Sequence, residues 1–206
     1  MSIVSFISDY ESVIDIGCDH GLIDVYLTVE KNCVCSACDV NNDIIKRAYS
    51  NFLKYGVESK INLFVGNGFD NLSVGNNTII LSGMGTSTML KILSVNKSDK
   101  IICQTNTDLY DLRIGVCSMG YYINQEDIVY DNGRYYVTIE FLKGNCDYCF
   151  DDYLLGPVLR CENSSLFKEY VKDIYNKVSN GYKNSIIYGN LSSDLEMRIC
   201  CIKKYI

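Results

Sequence analysis

The sequence predicts an α/β fold: a mostly parallel sheet with helices on both faces, closed by an antiparallel hairpin and followed by a small helical unit. Three observations predict it. Strand-like apolar runs alternate with helical patterns five times over short connections, which calls for parallel strands joined by crossover helices. Two β-rich runs then meet around Asp131-Asn132-Gly133, a tight-turn signal. After Gly144 the strand pattern stops and helical spacing takes over, so residues 1–144 are read as the sheet domain and 145–206 as a helical C-terminal domain.

The elements follow in order. VIDIG at 13–17 is a short buried strand, and the helix after it covers 22–30 with Leu22, Val25, Tyr26 and Val29 as its apolar face. CVCSACD at 33–39 is the second strand. Asn41, Asn42 and Asp43 offer N-cap chemistry for a helix over 43–55, which Gly56 ends as a left-handed cap. KINLFVGNG at 60–68 is a third strand breaking into a Gly-Asn-Gly turn, and NTIILSGMG at 77–85 is a fourth, with a helix over 88–93. KIICQTN at 100–106 is the fifth, followed by a helix over 107–118. Beyond the hairpin, Leu166, Tyr170, Ile174 and Val178 stand one turn apart in an amphipathic helix over 164–178. A weaker pattern runs over 192–206. Gly181 and Gly189 mark the bend of what reads as an antiparallel helix pair.

At 206 residues, 48% hydrophobic and 21% charged, the chain can bury one core without metal or disulfide support. No run of about 18 apolar residues is present, and the first dozen residues lack a basic leader and a cleavage site, so a cytoplasmic protein without membrane spans is expected. Eleven cysteines are spread over strands and strand ends; Cys146-x-x-Cys149 has ligand spacing but no nearby histidine to complete a tetrahedral site. They read as structural thiols, and no metal is expected. The net charge of −6 argues against a general nucleic-acid binder, though the imbalance lies in the sheet domain, while 144–206 holds equal numbers of acids and bases.

In open α/β sheets ligands lie beyond the carboxyl ends of the strands. The residues there are Gly17-Cys18-Asp19-His20-Gly21, Asp39-Val40, Gly66-Asn67-Gly68, Ser82-Gly83-Met84-Gly85 and Gln104-Thr105-Asn106. Each alone is a common turn or capping motif; five in register along one rim suit a nucleoside ligand. Gly17 and Gly21 admit close backbone approach, Asp39 is placed to accept from ribose hydroxyls, Asn67 to bond an adenine amine, and Gly68 to leave room for the ring. The spacing departs from G-x-G-x-x-G, and Asp19 beside a helix start repels a pyrophosphate while attracting a sulfonium and an ammonium. That contrast favours S-adenosyl-L-methionine over NAD.

These segments carry a family resemblance. DIGCDHGLIDVYL, CDVNNDIIKRAYSNFLKYGVESKINLFVGNGFDNL, SGMGTSTMLKIL, IICQTNTDLYDLR, EDIVYDNGRYYVTIEF and LLGPVLRCENSSLFKEYV together resemble the bacterial TrmK-type tRNA (adenine-22-N1)-methyltransferases, over about residues 10 to 178. The resemblance implies a Rossmann-like class I methyltransferase domain, a coiled-coil-like helical C-terminal domain, S-adenosyl-L-methionine as donor and tRNA as substrate. Carried over by position, it assigns the donor to Asp15, Gly17, Asp19, His20, Asp39, Asn67, Gly68, Gly83 and Met84, with Val40 beside Asp39. Leu22, Asp24, Thr86 and Thr105 stand where the family has an aromatic residue, a proline, a glycine and a proline.

The expected reaction is direct in-line methyl transfer to adenine N1, without metal or covalent intermediate. Asp19, the Gln104 and Asn106 side chains and the Met84 main chain are the candidate acceptors for the exocyclic amine as it grows more acidic. His20 reads as a packing or capping residue. The other readings kept open are a different RNA or small-molecule methyltransferase, an NAD-dependent oxidoreductase, and a non-catalytic RNA-binding protein with the same fold. No obligate protein partner is expected.

Overall fold

In the computed structural model of the protein, the described residues are 2–69, 77–187 and 192–206. Their strands are β1 (Ser12–Ile16), β2 (Val34–Asp39), β3 (Ile61–Val65), β4 (Thr78–Met84), β5 (Lys100–Thr105), β6 (Tyr121–Asp131) and β7 (Arg134–Lys143). They form one seven-stranded sheet in the order β3-β2-β1-β4-β5-β7-β6. Strands β1 to β5 are parallel, and β7 runs antiparallel between β5 and β6. The expected hairpin is a two-residue turn pairing Asp131 with Arg134, with Asn132 and Gly133 at φ 47° and 81° as such a turn demands.

The central strands are apolar on both faces, as a doubly covered parallel sheet requires. Side-chain alternation divides them: Ile14, Ile16, Ile79, Leu81, Ile101 and Cys103 join one core cluster, and Val13, Cys35, Ala37, Ile80 and Ile102 the other. The second cluster is covered by α1 (Ser2–Ser5), α2 (Leu22–Glu30) and α3 (Asn42–Tyr55). Helix α3 starts where expected, Asn41 accepting from Asp43 N, and ends on Gly56 at φ 66°. The first cluster is covered by α4 (Thr86–Leu93) and α5 (Leu109–Ser118), and by residues of α6 (Phe150–Leu155), α7 (Pro157–Glu162), α8 (Ser165–Ile187) and α9 (Ser193–Ile202). Leu155, Leu159, Phe167, Val171 and Ile202 are at most 1% exposed, so the C-terminal helices share the core of the sheet.

Several expectations change. The apolar face read for α2 is rotated: Leu22, Tyr26 and Val29 are about half exposed, and Asp24, Val25, Leu27 and Thr28 face the sheet. An inward acid defeats hydrophobic periodicity, and here it meets Asp15 of β1. Gly181 is no bend but lies inside α8, which runs nine residues past the expected end; α9 passes there, with Leu195 Cδ1 3.9 Å from where a Cβ would stand. Packing against α9 outweighs a glycine's cost of about 1 kcal/mol in a helix. Gly189 lies outside the described residues. Helices α6 and α7 occupy a stretch of the expected helical unit where no individual helix was assigned; Pro157, as first residue of α7, ends one and starts the other. The cysteines are free thiols, and burial pushes Cys35, Cys38 and Cys201 up to about 12.

Candidate active site

The sheet order reverses between β1 and β4, and beyond their carboxyl ends lies a cavity of about 440 Å³. Asp15, Gly17, Asp19, His20, Asp39, Gly83 and Met84, all read from the sequence as site residues, line it. Cys18, Leu22, Ile23 and Ser82 complete the wall.

The first loop is shaped by three left-handed residues, Gly17, Asp19 and Gly21, at φ 80°, 49° and 65°. Any side chain at Gly17 would put Cβ 2.1 Å from Met84 Cε, so glycine there brings the first and fourth loops together. Asp19 and His20 are exposed and 3.6 Å apart, and the His20 carbonyl accepts from Asn51 Nδ2. The start of α2 has no side-chain cap, which leaves its first N–H groups free beside the cavity. Asp39 Oδ1 accepts from Asn41 N at 2.9 Å; Oδ2 makes no hydrogen bond among the described residues.

Behind this rim lies a feature that periodicity could not reveal. Asp15 and Asp24 are 2% and 0% exposed, and neither Asp24 oxygen has a donor among the described residues, which leaves the two carboxyls to each other. Burial, opposed by the Asp24 hydrogen bond and reinforced by the Asp39 charge, pushes Asp15 up to about 7. Burial and the Asp15 charge push Asp24 well above the usual carboxylate range. The two carboxyls therefore hold a proton between them in the folded chain.

The fourth and fifth loops are locked together. The β4–β5 register shifts between Ser82 and Met84, so Gly83 bulges out at φ 73°, with no atom within 4 Å of its missing Cβ. Gln104 Oε1 accepts from Gly83 N and Ser82 Oγ, each at 3.2 Å, and Asn106 Nδ2 donates to Gly83 O at 2.7 Å. Gln104 and Asn106 thus hold the bulge open. The Met84 carbonyl accepts from Asn106 N and Thr105 Oγ1, at 2.9 and 3.1 Å, so both of its lone pairs are engaged and it is a weaker candidate acceptor than expected. Thr86 and Thr105, two departures from the family pattern, share a hydrogen bond at 3.0 Å.

Not every candidate lines this cavity. Asn67 and Gly68 border a neighbouring space of about 680 Å³ beside α4, and Val40 is 68% exposed after Asp39. Gln104 and Asn106 stand behind Gly83.

The donor set fits S-adenosyl-L-methionine. Three carboxylates and no lysine or arginine line the wall, which suits a cation and opposes a pyrophosphate. Free helix N–H groups suit a carboxylate, and Asp39 Oδ2 suits a hydroxyl donor.

Comparison with known proteins agrees with this geometry. Residues 1–139 match the family model described as a methyltransferase domain. A Mycoplasma genitalium protein, MG248, provisionally named a tRNA methyltransferase, is 30% identical over 155 residues, covering 71% of this chain and 70% of its own. The Mycoplasma capricolum TrmK structure with S-adenosyl-homocysteine is 25% identical, with a TM-score of 0.79 over 99% of this chain and 94% of its own. A Streptococcus pneumoniae protein provisionally described as a tRNA (m1A22) methyltransferase, solved with S-adenosyl-L-methionine, shares the fold at 23% identity, with a TM-score of 0.87 over 99% and 96% of the two chains. The chain belongs to the methyltransferase-domain family, and TrmK is among the structures it is similar to.

Proposed function

We propose that the protein transfers a methyl group from S-adenosyl-L-methionine to N1 of adenine 22 in tRNA, in the cytoplasm. The observation that carries the reading is the cavity at the switch point, lined by three acids and no lysine or arginine and open above the Gly83 bulge. The tRNA named for MG248 and the m1A22 named for the Streptococcus pneumoniae protein support the acceptor. No described helix is long and apolar enough to cross a membrane.

The donor, when bound, supplies an electrophilic methyl on a positively charged sulfur. Asp15 and Asp19 attract its cationic end, the first turn of α2 takes its carboxylate, and Asp39 Oδ2 accepts from its ribose hydroxyls. Asn67, Gly68 and Val40 are assigned to the adenine side. Gln104 and Asn106 act by position: they fix Gly83 so that no side chain obstructs approach of the acceptor base. Adenine N1 is itself the nucleophile. As N1 gains a substituent the base becomes cationic and its exocyclic amine acidic, and the exposed Asp19 carboxylate and Asn106 Oδ1 are the acceptors at hand. The proton leaves to water past Asp19. His20, bonded through its carbonyl to α3, shapes the loop. Because N1 lies on the Watson–Crick edge, the acceptor must be unpaired when it reaches Gly83. Residues 145–206 are assigned to a helical C-terminal unit packed on one face of the sheet.

Incubation with labelled S-adenosyl-L-methionine and an unmodified tRNA transcript, followed by nucleoside analysis, is expected to yield N1-methyladenosine at that single position. Label in a different nucleoside, or none, refutes the assignment. Asp39→Ala is expected to weaken donor binding about ten- to a hundredfold, the loss of a hydrogen bond to a charged acceptor, with RNA affinity unchanged. Calorimetric titration with S-adenosyl-homocysteine measures the first, and equal affinity in both proteins removes the ribose role.

A further inference from the structure

A second cavity, of about 580 Å³, lies between the end of β5, the start of β7 and helices α8 and α9. Asn106 belongs to its wall and also holds the carbonyl of Gly83, so the cavity adjoins the position assigned to the acceptor base. Its character is the opposite of the donor cavity. Three cations, Arg134, Lys177 and Arg198, stand against two acids, Asp108 and Asp173, in a chain of net charge −6. Arg198 pairs with Asp108 and Asp194 and Lys177 with Asp173, which leaves exposed Arg134 without an ion pair among the described residues.

Aromatic rings from three different elements line the same space: Tyr110 of α5, Tyr135 of β7 and Tyr170 of α8. Tyr135 and Tyr170 meet at 5.6 Å between centroids, and Arg198 lies over the Tyr110 ring at 4.5 Å. None of the three hydroxyls makes a hydrogen bond among the described residues. Buried or half-buried tyrosines ordinarily find a partner for the hydroxyl. Here three leave theirs free around one hollow.

We propose that this cavity takes up an unpaired nucleotide adjacent to the acceptor adenosine, its base against the tyrosine rings and its phosphate toward Arg134. The inference rests on the tRNA reading and extends it. Drawing the acceptor out of its stack strips a stacking face from each neighbour, and an aromatic wall replaces that face without demanding a particular base. Arg134 supplies the charge that a passing phosphate needs.

The test uses the full chain and two kinds of substrate: an unmodified tRNA transcript, and the same transcript with an abasic residue on one or the other side of the acceptor. For Tyr135→Ala the KM for intact tRNA is expected to rise about tenfold, with kcat and donor affinity within twofold of wild type. Tyr135→Phe, which keeps the ring, restores most of the loss. One abasic substrate should penalise the wild type and leave Tyr135→Ala nearly unaffected. Arg134→Gln, at an exposed position that threatens no fold, is expected to raise KM several-fold, and less so at high salt. Independent, multiplicative losses from variant and abasic site overturn the proposal, as does a fall in kcat at unchanged KM, which would make the hollow the acceptor's own. Absence of tRNA methylation by the wild type removes the underlying reading instead.

Discussion

Asp24→Asn is expected to raise the melting temperature by several degrees at about pH 8, and by progressively less as the pH is lowered. Asp24 is fully buried with both carboxyl oxygens unpartnered apart from the proton it shares with Asp15. Its pKa is raised on folding, so between its unfolded value near 4 and its higher folded value the native chain holds a proton that the unfolded chain has released. Stability then falls as pH rises through that window. Asp15, at about 7, adds the same slope from roughly pH 4 to 7. An asparagine amide donates the same hydrogen bond to Asp15 and requires no proton uptake. Relief of a buried ionisable group is worth about 1–4 kcal/mol, and each kcal/mol moves the midpoint of a chain this size by about 2–4 °C. Glu11 and Asp151, held below the usual carboxylate range by their hydrogen bonds and by Lys100 and Lys204, act in the opposite direction as pH falls, but equally in both proteins. Thermal melts of the two across pH isolate the Asp24 contribution. A difference that stays constant from pH 5 to 8 would contradict the shared-proton account.

Asp24 marks the boundary of what local sequence signals disclose. Alternation of strand and helix, the Asp-Asn-Gly turn and the Asn41 and Gly56 caps are local signals, and each stands where it was read because its cause is local. The loop tips of β1, β2 and β4 were legible for a different reason: once the sheet is parallel, their order along the rim is dictated by topology. Contacts between distant segments were not legible. Asp24 was visible as a substitution for proline, but hydrophobic periodicity assigns an acid to solvent, and only the presence of Asp15 opposite explains its burial. Thr86 and Thr105 read as two separate departures; in space they are one hydrogen-bonded pair bracing the Met84 turn. The run through Gly181 misled because glycine is a breaker only when nothing packs on it. Helices α6 and α7 are too short for periodicity to detect, and they are held by a charge pair seated on α5 and β6.

That pair sets the largest stability effect expected in the molecule. Arg113 and Glu126 have side chains with no exposure, joined by Nε and Nη2 to Oε1 at 2.9 and 2.8 Å. Arg113 Nη1 also donates to the carbonyls of Tyr153 and Leu154 at the end of α6, while Glu126 Oε2 accepts from Val158 N and Leu159 N at the start of α7. The two side chains therefore cap one helix at its negative end and the next at its positive end. Gly156 between them is a consequence, because a Cβ there would stand 2.4 Å from Glu126 Oε2. Arg113→Met leaves a buried carboxylate without its counter-charge, and a loss of about 3–5 kcal/mol is expected. Arg113→Met combined with Glu126→Gln removes the orphan charge and keeps an acceptor for Val158 N, so the double variant should be more stable than the single one. The loss should also be local at first. Limited proteolysis is expected to open the chain within 145–164 in Arg113→Met while S-adenosyl-homocysteine still binds, since the donor cavity draws on β1, β2 and β4 and not on α5 or β6. Protection of 145–164 equal to wild type, or simultaneous loss of donor binding, would show that the pair does not clasp the C-terminal helices to the sheet in the way its hydrogen bonds indicate.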